Sequence, residues 1–321
     1  MKLQQLKAFV MVFDKGSFSE AALELDTSQS TLSYTIGELE RELGLKLFER
    51  GRFGAVPTAA GRAIESHVRM MLRFEGAIFQ EASLVRKQLE GHLRVATFRS
   101  VASQILPGIM AEFKQRYPAL QVELLEMECD KEDLINALQQ GHCDVALSQV
   151  HEDDESDSDV LHWEVMREPY VAVLPKAAKH TLVPVTGVPE ADAYNITWGQ
   201  LADFAPVFHG GDKCGLWVQQ RLEQLPRDLP KLERVRNDFT AMELAAQGLG
   251  VSVLPRLASQ PLHEGVIRAT ITPPLRRVIE VMLLPSGLKI PATRLLLQAL
   301  KRRFPASQVP VLPSHEAVTP R

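Results

Sequence analysis

Residues 17–50, SFSEAALELDTSQSTLSYTIGELERELGLKLFER, constrain the fold more tightly than any other stretch of the chain. Ser17 and Glu20 have the S-x-x-E spacing of a capping box, in which a hydroxyl and a carboxylate satisfy free amides at a helix start. A helix is therefore expected to begin near Phe18. Ala21, Ala22 and Leu25 follow at helical spacing and offer a small face for close packing. Asp26, Thr27 and Ser28 interrupt with turn and cap residues. From Gln29 a second helix sets Leu32, Ile36, Leu39 and Leu43 on one stripe. Its opposite face opens with Gln29, Ser30, Ser33 and Tyr34, hydrogen-bonding side chains near a helix N-terminus, with Ser28 and Thr31 beside them. That layout fits a helix-turn-helix, whose second helix presents its first turns to base edges in the major groove. A polar-faced helical hairpin in another fold satisfies the same pattern, so this segment alone leaves both readings open.

Residues 44–57, GLKLFERGRFGAVP, place glycines at 44, 51 and 54 between short apolar pieces, as a β-hairpin does. Arg50 and Arg52 near its tip suit phosphates or the flanking minor groove; ordinary solvated arginines would look the same. A longer set of landmarks accompanies them: Leu6-Lys7-Ala8-Phe9, Gly16-Ser17-Phe18-Ser19-Glu20-Ala21-Ala22, Ser28-Gln29-Ser30, Ser33, Leu39-Glu40, Leu43-Gly44, Leu47-Phe48-Glu49-Arg50 and Thr58-Ala59-Ala60-Gly61. By their order and spacing, residues 1–62 resemble the DNA-binding domain of LysR-type transcriptional regulators. The resemblance implies an all-α winged helix-turn-helix domain over residues 1–58 that binds double-stranded DNA. Its contacts would come from Ser28, Gln29, Ser30, Thr31, Ser33 and Tyr34, with Arg50 and Arg52 on the backbone.

Charge does not advertise this partner. The chain carries a net charge of −4, and within residues 1–62 eight Lys/Arg balance eight Asp/Glu, whereas a DNA reader usually shows a basic footprint. Lys46, Arg50, Arg52 and Arg62 cluster around the wing instead. At 321 residues the chain exceeds one typical domain. No run of about eighteen apolar residues is present to span a membrane. The opening MKLQQLKAFVMVFDKG lacks a small-residue cleavage site and reads as a first helix, not a signal peptide. Three scattered cysteines make no disulfide framework. A cytoplasmic protein with no membrane partner is expected.

Thr58 is placed to cap a helix running from about Ala59 to Leu89. Positions 64, 68, 71, 75, 78, 82, 85 and 89 alternate by four and three and hold Ile, Val, Met, Glu, Ile, Ala, Val and Leu. All but Glu75 are apolar, which makes a heptad seam. The resemblance implies a dimerising linker helix over residues 59–90, because two recognition helices one DNA turn apart require a two-fold-related pair. Gly91 is expected to end it.

Beyond it, β-runs at 92–98, 120–127 and 144–150 alternate with helices over 106–117 and 130–140, arguing for an open α/β sheet. The acidic run EDDESDSD at 152–159 reads as a solvated loop, with a metal site as the other option. The alternation resumes with EPYVAVLP (168–175), residues 206–225, a strand near 232–236, a helix over 239–247 and GLGVSVLP (248–255). Strand 276–285 and helix 293–304 follow. By resemblance, residues 91–304 form a two-lobed, periplasmic-binding-protein-like effector domain. Subdomain I would comprise 92–160 and 269–304, and subdomain II 161–268. The proline-rich residues 305–321 are expected to be a disordered tail.

Ligands of open α/β sheets bind beyond the carboxyl ends of strands. Those ends hold Phe98, Arg99, Ser100 and Val101, then Cys129, then Gln149. His209, Phe239 and Thr240 would face the same crevice from the second lobe. Ser100 suits an anion and equally a helix cap. Cys214, after Asp212-Lys213, resembles the segment bearing the reactive cysteine in the peroxide-sensing branch of the family, although position 223 holds Glu where a resolving cysteine would stand. Plain packing is the alternative.

No G-x-S-x-G, Walker loop, H-E-x-x-H or full dinucleotide fingerprint occurs, so neither an enzyme nor a cofactor or metal is expected. The sequence thus points to a LysR-type regulator, acting as a dimer or dimer of dimers on an inverted-repeat site under a small-molecule effector. RNA polymerase would be a partner if it activates. An oxidant sensor on the same scaffold and a solute-binding protein are the alternatives.

Overall fold

The computed structural model describes the whole chain except residues 52–53, 87, 128–129, 152–159, 186–193, 205–206, 211–212, 226–231 and 311–321, and except the side chains of residues 50, 209, 210, 213, 214 and 232. Helices α1 (Leu3–Lys15), α2 (Phe18–Glu24) and α3 (Gln29–Leu43) pack around one apolar cluster, followed by the hairpin β1 (Phe48–Gly51) and β2 (Gly54–Pro57). Phe9, Val12, Ala21, Leu32, Ile36 and Leu39 are almost completely buried there. Hydroxyls cap both helix starts: Ser17 accepts from the Glu20 amide, which is the hydroxyl half of the expected capping box, and Ser28 accepts from the Thr31 amide at 3.1 Å. Asp26, at φ 49°, makes the turn between the two helices. Leu43, expected on the buried stripe, is instead 39% exposed at the helix end. The wing is held against the helices by the Ala55 amide, which donates to the Gly16 carbonyl at 2.7 Å. Gly54 allows this approach, since a Cβ there would lie 2.3 Å from the Gly16 oxygen.

The linker helix α4 (Ala59–Val85) starts at Thr58, whose hydroxyl accepts from the Gly61 amide at 3.0 Å. It is shorter than expected, and Gly91 does not end it. The chain leaves the helix at Arg86, and the Ser83 hydroxyl accepts from the Glu90 amide at 3.2 Å, pinning the exit. Gly91 instead begins the first strand of the next domain. Consequently Leu89 lies beyond the helix and packs into that domain's core. The expected heptad seam divides accordingly. Val68 is buried against the DNA-binding domain and Glu75 pairs with Lys7, whereas Met71, Ile78 and Val85 are exposed along with Phe74.

The remaining chain forms two lobes. The first holds β3 (Gly91–Thr97), α5 (Arg99–Gln104), α6 (Leu106–Arg116), β4 (Leu120–Glu126), α7 (Lys131–Gln139) and β5 (Val145–His151), with β13 (Arg276–Leu283) and α11 (Pro291–Arg303) returning to it. Strand order there is β4-β3-β5-β13-β6, with β6 spanning Leu161–Pro175. Strands β3, β4 and β5 are parallel, and β13 is antiparallel to both its neighbours. The second lobe carries β7 (Val183–Pro184), β8 (Tyr194–Thr197), α8 (Trp198–Leu201), β9 (Val207–Gly210), α9 (Lys213–Glu223), β10 (Leu232–Val235), α10 (Asp238–Ala246), β11 (Val251–Pro255) and β12 (Val266–Thr272). Strand β6 belongs to both lobes. Its first part pairs with β13 as far as Pro169, and from Tyr170 it pairs with β11 and β12. The lobes therefore exchange at about 169–170 and between Thr272 and Arg276, several residues beyond the expected 160/161 and 268/269.

Residues 305–310 correct the expected disordered tail. Val309 is 1% exposed in the core of the first lobe, and the Gln308 amide donates to the Glu164 carbonyl at 2.7 Å. Residues 311–321 and the acidic run 152–159 lie outside the described residues.

Candidate DNA-reading face and effector cleft

Helix α3 buries Leu32, Ile36 and Leu39 and turns the other side of its first turns outward. Ser28, Gln29, Ser30 and Thr31 are exposed, Tyr34 is 66% exposed, and Ser33 is half-buried. Ser28 is the N-cap, and its hydroxyl also meets those of Ser30 and Thr31 at 2.9 and 2.7 Å. It therefore organises the helix start as well as facing out. Arg50 lies on β1, opposite Ala55; its side chain, and all of Arg52, fall outside the described residues.

The acidic residues on α3 do not repel a phosphate backbone as freely as the sequence suggests. Glu38 pairs with Arg41, and Glu42 with the N-terminal ammonium. Glu40 is buried, accepting from the Leu47 amide at 2.9 Å, the Phe48 amide at 3.4 Å and the Lys46 ammonium at 2.6 Å. Burial pushes the Glu40 carboxyl up, but these donors together outweigh it and hold the group below its ordinary value. Glu40 thereby ties the recognition helix to the base of the wing.

In the second candidate site, three expected residues converge on one that sequence reasoning missed. Arg277, 2% exposed at the start of β13, donates to the Ser100 hydroxyl at 2.8 Å and to the Gln149 side-chain oxygen, and its guanidinium lies 5.0 Å from the centre of the Phe98 ring. Its charge is balanced by Glu168 on β6, 2.7 Å from Nε. The other Glu168 oxygen accepts the Leu257 amide. Arg277 and Glu168 are register partners across the two strands that connect the lobes, so this cluster sits where the lobes join. Each stands beside another charged residue, Arg276 or Arg167, at the start of an apolar run. Nothing local pairs them; only the antiparallel placement of β13 beside β6 does.

The other expected residues divide. Val101 is fully buried in the first lobe's core and packs there instead of lining the cleft. Arg99 turns toward Glu126, at 3.5 Å. Phe239 and Thr240 are exposed on the first turn of α10, where the Asn237 side chain accepts the Phe239 amide at 2.9 Å. Cys129 lies outside the described residues, as do the side chains of His209 and Cys214, whose backbones run in β9 and α9. Among the described residues no group of His, Cys, Asp and Glu could hold a metal ion, and no helix is long and apolar enough to cross a membrane.

A winged helix-turn-helix carried on a long helix and followed by a two-lobed α/β domain is the build of a DNA-binding transcription regulator, not an enzyme. Residues 3–62 match the bacterial regulatory helix-turn-helix protein family of the lysR type, and residues 86–305 match the LysR substrate binding domain. The chain belongs to the LysR family of transcriptional regulators. It is 36% identical over 305 residues to the probable HTH-type transcriptional regulator LrrA of Synechococcus elongatus, covering 95% of this chain and 98% of that one. Among solved structures it resembles a full-length OxyR variant from Pseudomonas aeruginosa (TM-score 0.69, 22% identity, 94% of this chain and 95% of that one). It also resembles full-length CbnR in complex with its target DNA (TM-score 0.62, 20% identity, 94% of this chain and 99% of that one).

Proposed function

We propose that this regulator works as a dimer that reads an inverted-repeat DNA site through α3 and responds to a small polar effector held at the Arg277 cluster. The observation that carries the effector reading is the convergence of Phe98, Ser100 and Gln149 on a buried guanidinium at the junction of the lobes. Because Glu168 already neutralises Arg277, an incoming molecule meets a balanced ion pair with Ser100 and Gln149 at its edge. It competes for hydrogen bonds there, and the lobes close or open with it. The dimer reading is supported by the exposed apolar stripe of Met71, Phe74, Ile78 and Val85 on α4. We place the DNA-binding domain at 1–58, the linker helix at 59–85 and the effector domain at about 89–310, since Leu89 and Val309 both pack in the first lobe's core. Assembly into tetramers, and contact with RNA polymerase during activation, extend the same reading.

Footprinting on the upstream region of the regulator's own operon is expected to show a protected palindrome. In a thermal-shift screen of the full-length protein against small metabolites, the effector raises the melting temperature by mass action. Ser100→Ala removes that shift while leaving the footprint in place; a shift of unchanged size in Ser100→Ala refutes the assignment of the cleft.

A second reading, oxidant sensing through Cys214, has one observation in its favour. Cys214 is the second residue of α9, and a helix N-terminus favours a thiolate. DNA binding that is unchanged by mild peroxide, in wild type and in Cys214→Ser alike, ends this reading.

A further inference from the structure

The Arg277 cluster is shut as it stands. Arg277 is 2% exposed, Glu168 1% and Ser100 5%, so a molecule that is to compete for their hydrogen bonds cannot reach them until something over them moves. Two lobes joined by two crossovers are a build that hinges. Side-chain contacts that bridge the lobes near the cluster therefore decide when it opens.

Two such contacts are present. The first is aromatic. His151 ends β5 as the register partner of Arg277, and its ring meets that of Trp217, from α9 of the second lobe, edge to face. The ring centres are 5.2 Å apart and the planes lie at 62°, an arrangement that aromatic pairs favour. The second is polar. Gln104 closes the short helix α5, whose first turn holds Ser100, and its Nε2 donates to the Gln260 carbonyl at 3.0 Å. Gln260 belongs to the second lobe, in the turn that leaves β11. All four residues are half-buried, so these contacts lie at the rim of the lobes and not in either core. Each is also weak. An aromatic pair or a single hydrogen bond shifts an equilibrium by about tenfold at most, which suits a contact that breaks and re-forms.

We infer that the His151–Trp217 and Gln104–Gln260 contacts form a gate over the effector cluster: they part together as the lobes swing, and an effector enters while they are apart. This rests on the reading of the Arg277 cluster as the effector site. Trp217 is then a positioning residue, which sets how often the cleft opens.

The test uses full-length protein grown with fluorotryptophan, with no ligand added. The chain has three tryptophans, and Trp217→Phe identifies the Trp217 fluorine resonance. Trp163 and Trp198 pack on the cores of the first and second lobes and report on folding. Lobe motions fall in the microsecond-to-millisecond range, so relaxation dispersion is expected at Trp217 and not at the other two. In His151→Ala the Trp217 resonance moves toward its open position, with the open population raised about tenfold. His151→Phe keeps a ring edge and stays with wild type. Gln104→Ala separates a gate from two unrelated contacts. Gln104 makes its contacts at Ser103 and Gln260, yet its loss is expected to move the Trp217 resonance along the same line as His151→Ala. A Trp217 resonance without dispersion, one that Gln104→Ala leaves in place, or a displacement shared by all three tryptophans overturns the gate. Because no effector is present, that result leaves the cleft assignment to be judged separately by Ser100→Ala.

Discussion

Two residues of the recognition helix illustrate how position decides meaning. Glu40 reads in the sequence as an unwelcome negative charge beside DNA, yet its carboxylate is buried on three donors that fix the wing. Glu40→Gln is expected to destabilise the protein by about 1.5–3 kcal/mol at neutral pH, the range for a buried hydrogen-bonded charge. The pH dependence has a definite sign. The folded carboxyl is held below its ordinary value of 4.5, so its stabilisation is complete above that value and is lost as pH falls through the lower folded one. Denaturant titrations of wild type and Glu40→Gln should therefore converge on acidification below about pH 4.5; a gap that stays constant would mean the carboxylate is not what holds the wing. Gly37 makes the opposite case. It sits in mid-helix, and an added Cβ would meet nothing within 4 Å. Gly37→Ala is expected to add about 0.5–1 kcal/mol through helix propensity, measured as a raised denaturation midpoint.

At the scale of elements, the sequence was most informative where a local rule suffices. The capped starts of α2 and α3, the glycine-spaced wing and the Thr58 cap are all decided within four residues of chain, and they fall where expected. Strand β12 and the length of β6 were not legible in this way, because an apolar run takes its boundaries from the strands beside it. The Arg277–Glu168 pair, over a hundred residues apart in sequence, was hidden for the same reason. The linker seam was half legible. Its period was right, but one helix of this kind serves two masters, its own domains and a partner, and periodicity does not separate them. The structure does, by leaving Ile78 69% exposed and Val85 86% exposed. Ile78→Asp is accordingly expected to convert the dimer to monomer in sedimentation at micromolar concentration, with the thermal unfolding of each chain little changed. On α3, Gln29→Ala is expected to relax sequence preference in a binding-site selection, whereas Arg50→Ala on the wing weakens all sequences alike and flattens the salt dependence.

At the scale of the whole molecule, communication between sensor and reading head must cross α4, and a chain of polar contacts centred on the buried Arg69 and Glu65 is built across it. Arg69, 6% exposed, reaches Asp14 at the end of α1 and Glu65 one turn back on its own helix, and stacks over Phe13 with its guanidinium 5.8 Å from the ring centre. Glu65 in turn lies 3.2 Å from His142 Nε2 of the first lobe. Gly141, at φ +73°, brings that lobe in so closely that a Cβ there would stand 2.9 Å from the Arg69 Cβ. Burial lowers the Arg69 proton affinity, but Asp14 and Glu65 outweigh it and raise the net value, so the guanidinium stays charged at every pH the protein survives. Removing it strands Glu65, which is 11% exposed, whereas Asp14, at 43%, falls back on water. The cost of breaking a buried pair is about 3–5 kcal/mol, and the exposed half of this one places Arg69→Met near the lower end. The exposed Arg41–Glu38 pair gives the control, since Arg41→Ala should change stability by less than about 1 kcal/mol. The sharper readout is cooperativity. With Arg69 in place the DNA-binding domain and the first lobe are expected to unfold together in calorimetry; in Arg69→Met the DNA-binding domain should melt earlier as a separate transition. In that variant, effector binding should still stabilise the lobes while no longer altering DNA affinity. A single transition with effector control of DNA binding intact would show that the signal crosses α4 by another route.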